Sequence, residues 1–355
     1  MKKKVIALAL SALMLTGLVG CGSNSKTKES TLKVGMITDS GTIDDRSFNQ
    51  GAWEGIQEAN EKLGTTSNYM KPAGETDQDY LTEVQNLYDS NYRFMVMAGF
   101  KFEKAMYVAQ DKYPDAKFVI IDAAPTDKDG NVSIGKNTVS ISFAEEQAGF
   151  AVGVAAAVQL KEGELGFIGG MKAPTVQRFD YGFQQGIEYA NKNYGSNVSL
   201  KEENIVYAGS FTDTALGQQL AASLYDNGVK AIFAAAGGTG SGVIAEAKTR
   251  AVKGEEVWVI GVDSDQYNDG VYDTKSNKSV ILTSAMKKIN EASYQMIEKE
   301  LNGEFPGGES IIFNASNDGI GIPEKNPNLS DDTVSKVNEV INLIKDGTIV
   351  VKTEK

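Results

Sequence analysis

With 355 residues the chain is too long for one ordinary hydrophobic core and suits two domains. It contains no histidine, which excludes Ser-His-Asp and Cys-His nucleophilic systems and histidine-ligated zinc, and its single cysteine excludes an internal disulfide or cysteine metal cluster. A net charge of −12 argues against nucleic acid and against polybasic binding to anionic lipid.

Residues 1–20 read as a signal peptide. Lys2, Lys3 and Lys4 form a basic start, and Val5 to Val19 is an apolar run too short for a membrane span. Leu18-Val19-Gly20-Cys21 resembles a bacterial lipobox, so Cys21 is the expected site of lipid attachment. Removing residues 1–20 takes away three lysines and no acid, moving the net charge from −12 to −15. Residues 21–31 are small and polar after Cys21 and read as a flexible tether. The remainder is expected to be soluble on the extracytoplasmic face of the cell membrane, held there by lipid on Cys21.

The folded part opens with a strand over residues 32–38, a polar turn, and a helix that Ser47 and Phe48 begin. A weak strand over 68–71, a helix over 78–88, and apolar strands over 93–98 and 118–121 follow, the last two separated by a helix that Pro114 closes. Strands apolar on both faces and alternating with helices indicate a parallel sheet covered by helices. A strand over 138–143 leads to the small-residue helix 147–159, which is apolar nearly all round and predicted to be deeply buried; Glu145 and Glu146 suit its first turn. The same rhythm then repeats, with strands at 165–168, 204–208, 231–236 and 257–262 and helices between them. Residues 267–278 read as a loop, before a strand at 280–285 and a helix at 289–301. A strand at 311–313 and a helix at about 331–344 complete the chain. The expected fold is α/β and two-lobed, each lobe a parallel sheet flanked by helices, with a ligand in the cleft between them. Residues 32–143 plus about 264–302 are assigned to the first lobe. Residues 144–263 plus about 303–355 are assigned to the second.

Ligands of open parallel sheets bind beyond the carboxyl ends of the strands. Asp39, Asp122 and Asp263 each close an apolar strand there, as turn formers or as acceptors for sugar hydroxyls and ring N–H groups. Phe48, next to Asn49, reads either as a staple onto its helix or as a stacking platform. Phe211 is its counterpart on the second lobe, with Phe179 beside Arg178 as a rival. The run from Gly237 and Gly238 to Gly242 imitates a dinucleotide fingerprint, but the register fails, leaving a tight turn that brings backbone close to a ligand. Lys287 ends a strand and, if it faces the cleft, suits a ribose hydroxyl.

Several motifs together resemble one family. They are ITDSGTIDDRSFNQGAWEG, IIDA, FAEEQAGFAVGVAAA, GFIGG, RFDYGFQQG, YAGSF, AAAGGTGSGV, VWVIGVDSDQ and GEFPGG. The set, with the lipobox, is similar to the basic membrane protein family of bacterial lipoproteins, also called purine nucleoside receptors. The resemblance implies a fold like that of type I periplasmic binding proteins and delivery of nucleosides to an ABC importer's permease subunits. It also implies a base held between Phe48 and Phe211, base-edge contacts from Asp39, Asn49 and Asp122, and a ribose side formed by Gly237, Asp263 and Lys287. A monomer without cofactor, metal, nucleic-acid partner or catalytic step is expected. The rival readings are a receptor for a sugar or signalling molecule, and an extracytoplasmic nucleosidase.

Overall fold

The computed structural model describes residues 32–354; the signal-peptide, tether and Cys21 expectations lie outside these residues. Among the described residues the strands form two six-stranded sheets and one two-stranded hairpin.

The first sheet holds β1 (Lys33–Thr38), β2 (Thr66–Met70), β3 (Phe94–Ala98), β4 (Lys117–Ile121) and β5 (Thr138–Phe143), layered with α1 (Phe48–Leu63), α2 (Asp77–Asp89) and α3 (Glu103–Lys112). Strands β3 and β4 are buried almost throughout, as continuous apolar runs under helices on both faces require. The second series runs α4 (Glu145–Leu160), β6 (Glu162–Gly169), α5 (Pro174–Tyr194), β7 (Asn197–Tyr207), α6 (Thr214–Asp226), β8 (Val229–Ala235), α7 (Gly238–Val252) and β9 (Trp258–Asp263). After the hairpin β10 (Val271–Asp273) and β11 (Lys278–Ser279) come β12 (Ile281–Lys287), α8 (Ile289–Leu301), β13 (Ser310–Phe313), β14 (Ile320–Gly321) and α9 (Asp331–Lys345).

The sheet orders are β13-β5-β4-β3-β1-β2 and β14-β12-β9-β8-β6-β7, so the lobes are built to one plan. Pairing corrects the assignment of 264–302 to the first lobe. Strand β12 lies parallel to β9 in the second sheet, with Ala285 opposite Val262, and only α8 returns to pack on α1. Residues 303–355 also divide. Strand β13 runs parallel to β5 in the first sheet, whereas β14 is antiparallel to β12 in the second and α9 packs on α4. Residues 267–278, read as a loop, carry most of the β10–β11 hairpin. Among the described residues the chain therefore passes between lobes three times: after β5, after β12 and after β13.

Helix α4 is buried from Glu145 to Val158 apart from Gln147, in keeping with its lack of a polar face. Its neighbour α5 approaches it backbone to backbone. A Cβ on Gly182 would lie 2.0 Å from the Glu146 carbonyl oxygen, and one on Gly186 would lie 2.2 Å from that of Phe150. This contact fixes the start of α4, where the first crossing leaves the cleft.

Candidate ligand cavity

A cavity with about 630 Å³ of empty space, its mouth included, lies between the lobes at the carboxyl ends of the strands. Asp39, Gly99 and Asp122 reach it from the ends of β1, β3 and β4, and Phe48 and Asn49 from the first turn of α1. From the other lobe come Phe179 on α5, Phe211 after β7, Gly237 after β8, and Asp263 and Lys287 at the ends of β9 and β12. Every ligand-binding residue named from sequence is thus gathered on one wall or the other except Arg178 and Gly238. Arg178 turns away, its Nε donating to Glu145 Oε2 at 2.7 Å, and it lines a separate surface cavity. Gly238 opens α7 behind Gly237.

The start of α1 is organised by an aspartate of the preceding turn, in a capping role that the sequence alone did not assign to it. Asp45 accepts hydrogen bonds from the backbone N–H groups of Ser47, Asn49 and Gln50, all at 3.0 Å, which suits a carboxylate at a helix start. Ser47 makes no side-chain cap, and its hydroxyl instead donates to Asp263 Oδ2 at 2.5 Å across the cleft. Asn49 Nδ2 donates to Asp39 Oδ1 at 3.1 Å and to Asp45 Oδ2 at 2.9 Å, which fixes the amide's orientation. Gly41, Phe100, Thr175, Val176, Ala235, Ala236 and Val262 also line the cavity.

Asp122 and Asp263 occupy equivalent strand ends in the two sheets, and both adopt φ of +65°. That left-handed conformation costs a non-glycine residue roughly 1–2 kcal/mol. Its occurrence at both ends, on residues facing the cavity, ties the strain to the site.

Beneath the cavity Lys287, its side chain 2 % exposed, donates to Asp122 Oδ2 at 2.5 Å and to Glu145 Oε1 at 3.1 Å. Burial alone would lower its pKa, but the carboxylates of Asp122, Glu145 and Asp263 outweigh it and hold the ammonium charged well above its usual range. Burial pushes the Asp39 carboxyl up, against hydrogen bonds from Ser40 and Asn49. It pushes Asp263 up to about 6, against the opposing pull of Lys287 and Ser47. Glu145, fully buried, is raised by burial despite Lys287 and Arg178. The lysine joins the second sheet to an acid of the first and to the first crossing, so the cavity floor and that crossing share one polar cluster.

The walls are apolar and aromatic, with phenylalanines from both lobes and acidic acceptors at the ends of the sheets. Such a cavity suits a small, flat molecule bearing hydrogen-bond donors. Two lobes with a ligand cavity at their strand ends, joined by several crossings, define the class of two-lobed solute-binding proteins. The profile of the family "ABC transporter substrate-binding protein PnrA-like" (Bmp) matches residues 32–355. The "CD4+ T-cell-stimulating antigen" of Listeria innocua is 37% identical over 99% of both chains. The "ABC transporter nucleoside-binding protein BmpA" of Lactococcus lactis is 34% identical over 100% of both. In fold, the chain is similar to an ABC transporter solute-binding protein from Aeropyrum pernix, with a TM-score of 0.77 and 24% identity over 90% of this chain and 94% of that one. The protein belongs to the PnrA-like (Bmp) family of ABC transporter substrate-binding proteins.

Proposed function

We propose that the protein captures purine nucleosides outside the cell and hands them to the permease of an ABC importer, as a monomer anchored by lipid on Cys21. The observation that carries this reading is that Phe48 and Phe211, from opposite lobes, both line a cavity edged by Asp39, Asp122 and Asp263. In this reading the two rings take the faces of a planar base, each stack contributing roughly 1–3 kcal/mol by analogy with nucleic-acid binders. In this reading Asp39, Asn49 and Asp122 meet the base edge, and Gly237, Asp263 and Lys287 the ribose. The nucleoside-binding relative supports the same ligand class.

Calorimetry of the full chain with inosine, guanosine and adenosine tests it, alongside mass spectrometry of any small molecule that co-purifies. Saturable binding of purine ribosides, recovered intact, is expected. Binding of a pentose or hexose with no response to any nucleoside would replace it with a sugar-receptor function.

A further inference from the structure

Among the described residues that line the cavity, two carry a buried side-chain polar atom with no hydrogen-bond partner, Asn49 Oδ1 and Asp122 Oδ1. Asn49 is 3 % exposed and the Asp122 side chain 8 %. Both atoms are acceptors. The Asn49 assignment is secure on chemical grounds, because the other end of its amide donates to the carboxylates of Asp39 and Asp45 and must be the NH₂. Asn49 Nδ2 has both of its hydrogens committed to those two acids, and Lys287 Nζ, reaching in from the other lobe, spends two of its three on Asp122 and Glu145.

Thr38, Ala98 and Ile121 are register partners on adjacent parallel strands. The residues that follow them, Asp39, Gly99 and Asp122, therefore stand side by side in steps of about 4.8 Å, with the acids about 10 Å apart. Gly99 leaves the gap between them, since a Cβ there would lie 2.5 Å from Asp39 Oδ2. A ring edge entering over Gly99 has Asn49, held by Asp39, on one side and Asp122 on the other.

We propose that this wall selects a base edge with adjacent N–H donors, so that guanosine, with its N1–H and 2-amino group, is preferred over adenosine. Inosine, with N1–H alone, falls between them. Adenosine presents N1 as an acceptor beside its amino group, so an acceptor on the base faces an acceptor on the wall. A site built to pair polar groups rejects an analogue that leaves them unpaired, because the desolvated atom regains nothing. The proposal rests on the nucleoside reading above.

The test is calorimetry of the full chain with guanosine, inosine, adenosine and 1-methylguanosine, in which a methyl group replaces the N1 hydrogen and the ribose is unchanged. Guanosine is expected to bind tightest, with adenosine and 1-methylguanosine each at least about tenfold weaker, or about 1.4 kcal/mol. Ribose hydroxyls are common to all four and cannot produce that order. Asp122→Asn gives the wall an amide that can turn a donor toward the base, so the guanosine-to-adenosine affinity ratio should fall. A merely structural role for Asp122 would weaken both ligands in proportion. Adenosine bound as tightly as guanosine, or 1-methylguanosine bound undiminished, would overturn the selection while leaving nucleoside capture standing. No binding of any of the four would remove the nucleoside reading and this proposal together.

Discussion

The Ser47 hydroxyl and the Asp263 carboxylate meet across the cleft, tying the first turn of α1 in one lobe to the end of β9 in the other. The same edge carries an Arg46–Asp269 ion pair, and the Arg46 carbonyl accepts from Ser264 Oγ at 3.2 Å and from Gln266 Nε2 at 3.0 Å. Contacts of this kind across the cleft are expected to act as a clasp on a bound ligand. Ser47→Ala removes a bond to a charged acceptor, an interaction contributing roughly 1.5–3 kcal/mol. Ligand affinity is expected to fall about tenfold or more, chiefly through faster dissociation. Stopped-flow release of a fluorescent nucleoside analogue measures this, and an unchanged release rate would show the clasp to be incidental.

Asp263 should make stability depend on pH. Burial raises its pKa to about 6 from an ordinary 3.8, so the folded protein holds this proton more tightly than the unfolded chain. Its contribution is favourable below about pH 4 and is lost as the pH rises toward 6. Lys287 and Ser47 counter the shift, while Asp122 and Asp45 reinforce it. Asp263→Asn should stabilise the folded protein at pH 7 by roughly 1–3 kcal/mol, with the gain disappearing at pH 4. Denaturant midpoints at the two values decide it; a pH-independent difference contradicts the assignment.

Replacing Lys287 with methionine keeps much of the side chain's bulk but leaves Asp122 and Glu145 without their shared cation. Breaking a buried pair from one side costs roughly 3–5 kcal/mol. Urea unfolding of Lys287→Met should show a loss of that size. A loss below about 1 kcal/mol would mean that the carboxylates relax to solvent or to other partners.

Phe48→Ala should weaken nucleoside binding by at least about tenfold, the lower end of what one stacked ring supplies. The Phe48 ring lies only partly buried on the cavity wall, so its truncation should change the melting temperature little. Undiminished inosine affinity in this variant would remove the two-ring clamp.

Much of this was legible in the sequence because strands of a covered parallel sheet are continuous apolar runs whose ends are marked by a change in residue type. ITD, IID and GVD announced three strand ends, and the uniform apolar character of residues 147–159 announced a buried helix. Partnership was not legible. The apolar pattern of β12 is the same whichever sheet receives it, so its lobe was misassigned. Glu145 reads as an ordinary helix-start acid because its partner Lys287 lies 142 residues away. Arg178 was drawn from the site by that same glutamate, and Ser47 yielded the helix cap to Asp45, two residues earlier. Each of these outcomes depends on which polar group reaches a partner first in three dimensions.

The alternating use of the two sheets also governs when the molecule can exist at all. Strands β13 and β14 each supply one edge of a sheet, and neither has been made until the chain reaches residues 310–321. A growing polypeptide therefore cannot finish one half and then begin the other. Both halves stay incomplete to nearly the last tenth of synthesis. Shortening the chain after residue 305 would leave two unfinished sheets instead of one intact half.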